Sequence, residues 1–145
     1  GLGGSSVAAL DGYHKFLRTS INSEYYPDFD VQLMQAAKMD ENDCAIMISH
    51  SGENQQTLTV LKQLHNNHVP VIAITSYGRS SLAQRADMVL LSLADQMSTT
   101  SDSMYTLIAQ LAIIDSLFTI VAVKLSNKTE AVMDRVKEAI DRTRT

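Results

Sequence analysis

The chain has no tryptophan, one cysteine and two prolines among its 145 residues. A lone cysteine cannot close an internal disulfide. That excludes the small disulfide-stapled secreted scaffolds and suits a reducing, cytoplasmic setting. Cys44 adjoins an apolar run and is expected to be a small buried hydrophobe rather than a nucleophile. Basic excess is also missing: 12 Lys and Arg against 16 Asp and Glu give a net charge of −4. These residues therefore offer no basic patch of the kind that nucleic-acid phosphates require. The four histidines show no metal-ligand spacing, with or without Cys44, so neither a metal nor another cofactor is expected. An uninterrupted hydrophobic span is lacking too. The longest apolar stretch, 107–123, is broken by Gln110, Asp115, Ser116 and Thr119. An Asp near the centre of a spanning helix costs about 2.5–3.5 kcal/mol, so no membrane partner is expected. A helix apolar nearly all round is instead covered on two sides. No signal peptide is visible, and the chain begins with Gly1 rather than Met, so it is expected to be a fragment.

What is present is mostly carried by one stretch, Cys44-Ala-Ile-Met-Ile-Ser49-His50-Ser51-Gly52-Glu53-Asn54. An apolar strand empties into a small hydroxyl-rich turn, and an amphipathic segment over 55–66 follows at once. Strand, tight loop and helix start together bind phosphate. The first helical N–H groups lack intrahelical partners, the helix dipole adds positive potential, and glycine lets the backbone approach an anion. Ser49 and Ser51 can each donate a hydroxyl hydrogen. A second loop of the same kind, Gly1-Leu-Gly3-Gly4-Ser5-Ser6, opens a helical pattern over 5–18. Its predicted faces carry Val7, Leu10, His14 and Leu17, with Ala9, Tyr13 and Phe16 beside them. Each loop alone suits an ordinary exposed turn. Two of them, each opening a helix, point to one shared anion site outside the carboxyl ends of parallel strands.

Along the chain, strand and helix patterns alternate. A short strand is predicted near 21–26, then a helix over 31–39 capped by Asp28 or Asp30. Strand 44–48 and helix 55–66 follow, the helix closed by His65 and His68. Next come strand 69–74, a short helix over 81–86, strand 88–93, a long helix to about 125 and a last amphipathic helix over 130–142. The Ser/Thr-rich segment 98–103 opens the long helix. Such alternation predicts one α/β domain with right-handed crossovers, and 145 residues suit a single core.

Several blocks taken together resemble the SIS (sugar isomerase) domain. They are Gly1-Leu-Gly-Gly-Ser5, Ile48-Ser-His-Ser-Gly-Glu-Asn54, Ile72-Ala-Ile-Thr-Ser76, Ser81-Leu-Ala-Gln-Arg-Ala-Asp87 and Ile108-Ala-Gln-Leu-Ala-Ile-Ile-Asp115. The resemblance covers essentially the whole chain and is nearest to the effector-binding domain that ends RpiR-type bacterial transcription regulators. It implies a three-layer α/β/α sandwich around a doubly wound, five-stranded parallel sheet, with one strand and a helix-turn-helix domain lying before Gly1. DNA would be met only through that upstream domain. The resemblance implies a phosphosugar site at Gly3, Ser5, Ser49, His50, Ser51, Gly52 and Asn54. The family usually has Thr where Asn54 stands, and many relatives carry Ser-Arg at Thr106-Leu107.

An aldose–ketose isomerase needs a positioned base. His50, Glu53, His14 and Glu24 are the candidates, and no motif gives any of them an orienting partner. Arg79 could reach a phosphate, or be only solvated, and segment 98–103 could close over a sugar. The expectation is a phosphosugar-sensing regulator domain that is not an enzyme. Its alternatives are a small sugar-phosphate isomerase and a domain that only dimerises. A homodimer or higher homo-oligomer through helix 102–125 is predicted from its all-round apolar surface.

Overall fold

In the computed structural model, residues 1–93 and 102–144 are described. Segment 98–103, a candidate cap over the sugar, lies largely outside them, and the side chains of Asp102 and Ser103 are not described. The elements are α1 (Ser5–Phe16), α2 (Phe29–Lys38), β1 (Ala45–Ile48), α3 (Gln55–Asn66), β2 (Val71–Thr75), α4 (Ser81–Arg85), β3 (Met88–Leu91), α5 (Asp102–Lys124) and α6 (Ser126–Asp141). The strands run parallel in the order β1-β2-β3, with Ala45 beside Val71 and Ile72 beside Met88.

Alternation along each strand sorts the core into two halves, because successive side chains point to opposite faces. Met47, Val71 and Ala73 join Val60, Leu61 and Leu64 of α3, Ala36 of α2 and Leu82 of α4. Ile48 and Ile74 face the other way, against Ala8 of α1 and Ile114 of α5. The result is helix, sheet, helix: the expected α/β sandwich.

The sheet has three strands among the described residues, where the sequence pattern leads to four within the chain. No strand forms at 21–26. The Tyr26 carbonyl accepts from Gln32 Nε2 at 2.7 Å instead of from a neighbouring strand, Tyr25 stacks on Tyr13, and Ile21 is exposed. Strand β2 starts only after Pro70, whose carbonyl accepts the Ala45 N–H at 2.9 Å. Asp28 is the cap of α2, with Oδ1 accepting the Val31 N–H at 3.0 Å. Cys44 lies one residue before β1 and is exposed, which corrects its expected burial. Desolvation first, then Asp87, pushes its thiol pKa up, the opposite of an activated nucleophile.

Helix α1 is turned differently from its predicted faces. Val7, Leu10 and Leu17 are exposed, as is His14, while Ser5, Ala8 and Gly12 are buried. These three small residues share one face and let α5 come close. A Cβ on Gly12 would stand 3.3 Å from Ile114 Cγ2. Lys15 of α1 bridges to Asp115 of α5 at 2.7 Å and also pairs with Asp11. Helix α5 buries Thr106, Gln110 and Ile114, but Ile108 (68%), Ile120 (55%) and Val123 (71%) are exposed. One of its faces is therefore covered within the chain; the other is the face expected to meet a partner subunit. Leu125 separates it from α6, whose Met133 and Ile140 are also exposed.

Candidate functional site

The two glycine-serine loops meet. Leu2, Gly3, Gly4 and Ser5 from the start of α1 face Ser49, His50, Ser51, Asn54 and Thr57 from the β1–α3 turn. Thr106, Leu107 and Gln110 of α5 close the third side. The cavity between them measures about 270 Å³, near the lower end of small-molecule sites. Two helix starts open onto it. Helix α1 has no side-chain cap; the Ser6 and Val7 N–H groups return to the Gly3 and Gly4 carbonyls at 3.0 and 3.2 Å, and Gly3 takes a left-handed φ of +56°.

The β1–α3 turn is organised by its own hydroxyls. Ser49 Oγ accepts the Gly52 N–H at 3.2 Å, and Ser51 Oγ accepts the Glu53 N–H at 3.2 Å. Asn54 caps α3, its Oδ1 accepting the Thr57 N–H at 3.1 Å. From α5, Gln110 Nε2 donates to Ser5 Oγ at 3.3 Å. Each serine oxygen thus receives one hydrogen bond from the protein and keeps its own hydrogen to give. The Asn54 oxygen is engaged by the cap, so its amide hydrogens are what it can offer. Among the described residues, none lining the cavity is ionisable except His50. The site is neutral and rich in donors, which is chemistry suited to an oxyanion.

Gly52 is fixed by space as well as by its φ of +66°. A Cβ there would lie 2.2 Å from Ser80 Oγ, the hydroxyl that caps α4. Its carbonyl accepts the Leu82 N–H at 3.0 Å, so the turn is bolted to α4 through backbone.

Of the candidate bases, His50 lines the cavity, and Glu53, Glu24 and His14 do not. His50 Nδ1 lies 2.9 Å from Ser76 Oγ, and its ring packs edge-on to Tyr77. Glu53 Oε1 and Oε2 accept from Ser81, and those bonds hold its pKa below the usual carboxylate value. Glu24 is exposed beside the Tyr26 hydroxyl, and His14 and Arg79 are exposed and do not line the cavity. Of the sequence-predicted site residues, Gly3, Ser5, Ser49, His50, Ser51 and Asn54 line the cavity together, and Gly52 shapes the turn beneath it. Sequence reasoning missed Leu2, Gly4, Thr57 and Gln110 as lining residues, and flagged Thr106 and Leu107 only as departures from a pattern. Gln110 had a legible signal, an amide in an otherwise apolar helix one turn before Ile114.

A parallel α/β sheet with a phosphate-type loop at the carboxyl end of β1 defines the class, and comparison with known proteins defines the family. Residues 1–120 match the SIS domain, and the chain belongs to that family. It is 31% identical over 140 residues to an HTH-type transcriptional regulator of Caldanaerobacter subterraneus, covering 97% of this chain and 50% of that protein. To the HTH-type transcriptional regulator RpiR of Escherichia coli K12 it is 30% identical over 141 residues, 92% of this chain and 48% of that one. The chain therefore spans about half the length of the curated relatives it matches. Among solved structures, the Vibrio vulnificus NanR protein complexed with ManNAc-6P superposes with a TM-score of 0.87 at 16% identity, covering 99% of this chain and 54% of that one. The sugar isomerase domain of an RpiR transcription factor from Sphaerobacter thermophilus gives 0.79 at 21% identity, covering 94% and 75%.

Proposed function

We propose that this domain senses a phosphorylated monosaccharide as the effector-binding part of an RpiR-type transcription regulator. The observation that carries the reading is the donor set. Ser5, Ser49 and Ser51 each accept a hydrogen bond from the protein, leaving three hydroxyl hydrogens for one neutral cavity beside two helix starts. The cavity volume suits one sugar ring. The relatives' names support the regulator class, and the ManNAc-6P complex of the Vibrio vulnificus protein supports the ligand class.

The second reading is a sugar-phosphate isomerase, because the fold also matches a Methanococcus jannaschii protein inferred to be a 3-hexulose-6-phosphate isomerase. Against turnover by this chain stands the engagement of its candidate bases: Glu53 is bound to Ser81, and His50 leans on Ser76 and Tyr77. DNA contact would belong to a domain outside these residues, and the setting would be cytoplasmic. By length and composition alone Tyr105–Lys124 could cross a membrane. Gln110 of that helix lines the cavity beside Ser5, which supports a place for the helix in the domain itself.

The exposed Ile108, Ile120 and Val123 of α5 are assigned to a homodimer or higher homo-oligomer. Thermal-shift screening against hexose and pentose phosphates tests the ligand reading, since a ligand of the native state raises its melting point. A shift with sugar phosphates and no conversion of aldose to ketose phosphate supports the sensor. No shift with any phosphate, or steady turnover, contradicts it.

A further inference from the structure

We propose that Gln110 is a positioning residue of this site: its amide nitrogen fixes Ser5 as a hydrogen-bond donor to the bound anion. The inference rests on the phosphosugar reading. Gln110 is 2% exposed and sits one turn from Ile114 on the face of α5 that packs against α1. A buried amide in apolar surroundings is costly unless it is hydrogen-bonded, and Nε2 finds Ser5 Oγ, 105 residues away in sequence.

A serine hydroxyl has one hydrogen and two lone pairs. With a lone pair filled by Gln110, the hydrogen is directed away from α5. Both side chains line the cavity, so that hydrogen is available to a ligand. Ser49 and Ser51 are polarised the same way, but by backbone N–H groups of their own turn. Ser5 opens α1 and has no such local donor; its polarity is set from another element. A methionine at 110 would fill similar volume without fixing that hydrogen.

The test is a double-mutant cycle on phosphate binding, with inorganic phosphate as the probe and calorimetry as the readout. Gln110→Met is expected to weaken binding about tenfold, as is Ser5→Ala, since each removes or misdirects one hydrogen bond to a charged group. In the Ser5→Ala background, Gln110→Met should change affinity less than twofold. Binding unchanged in Gln110→Met, or effects that simply multiply, overturns the inference while leaving the phosphosugar reading intact. Should Gln110→Met fail to fold, Gln110→Leu repeats the cycle with another uncharged side chain that carries no donor, and the same two outcomes decide. Absence of phosphate binding by the unmutated protein would overturn the phosphosugar reading and this inference with it.

Discussion

Glu53 closes the phosphate-type turn onto α4 by two bonds to one residue: Oε1 accepts the Ser81 N–H at 2.7 Å and Oε2 accepts the Ser81 hydroxyl at 2.8 Å. A side chain that sequence alone offered as a base is thus a strut between neighbouring loops.

A pH dependence follows from that pairing. The Glu53 pKa is lowered from the ordinary 4.5, chiefly by the Ser81 backbone N–H and then by its hydroxyl. A depressed folded-state pKa means stability that is present above the unfolded value and lost as pH falls through the folded value. The melting-temperature difference between the unmutated protein and Glu53→Gln should be constant above about pH 6 and shrink below 4.5. A difference that grows on acidification would contradict the assignment.

Gly52 tolerates no side chain. Its φ of +66° and the 2.2 Å approach of a Cβ to Ser80 Oγ predict that Gly52→Ala loses more than about 1–2 kcal/mol, the usual cost of a left-handed residue alone. Chemical denaturation checks this, and stability within 0.5 kcal/mol of the unmutated protein, roughly the noise of neutral surface changes, would refute it.

At the α1–α5 contact, Gly12 lies 3.3 Å, through an added Cβ, from Ile114 Cγ2. Gly12→Leu should overpack this seam and cost about 1–3 kcal/mol. Gly12→Ala should cost less, because a helix interior favours Ala by about 1 kcal/mol and offsets the squeeze. Equal effects of the two changes in denaturation would show that the seam is loose.

Much of this arrangement was legible in the chain. Asp28, one of two candidate caps, and the loop before 55–66 announced two helix starts, and the apolar runs at 44–48 and 69–74 carried the sheet. Ser49, Ser51 and Ser5 announced the cavity through their setting between strand and helix. Other features depended on tertiary contacts. The apolar stripe Val7, Leu10 and Leu17 pointed outward, because Ser5, Ala8 and Gly12 make a smoother seat for α5 than bulky residues do. The stretch 21–26 had strand-like composition but pairs with no strand among the described residues. Gln110 could be seen as odd in its helix, yet only the fold brings it to Ser5.

The association proposed for α5 is open to a direct check. Ile108 and Val123 are 68% and 71% exposed, so Ile108→Glu and Val123→Glu should leave the fold intact and shift a dimer toward monomer. Light scattering at tens of micromolar reads the mass, and an unmutated protein that is monomeric there removes this interface.

The serine donors carry the central claim, and titration calorimetry of a bound sugar phosphate reaches them most directly. Ser49→Ala and Ser51→Ala each delete one hydrogen bond to a charged group, worth about 1.5–3 kcal/mol, and each should weaken the dissociation constant by roughly tenfold or more. Ser49→Ala should also lower the melting point, because its oxygen accepts the buried Gly52 N–H, whereas Ser51→Ala, whose bond to the Glu53 N–H is exposed, should lower it less. Affinities unchanged in both variants would contradict the account, because the ligand would then lie elsewhere on the domain.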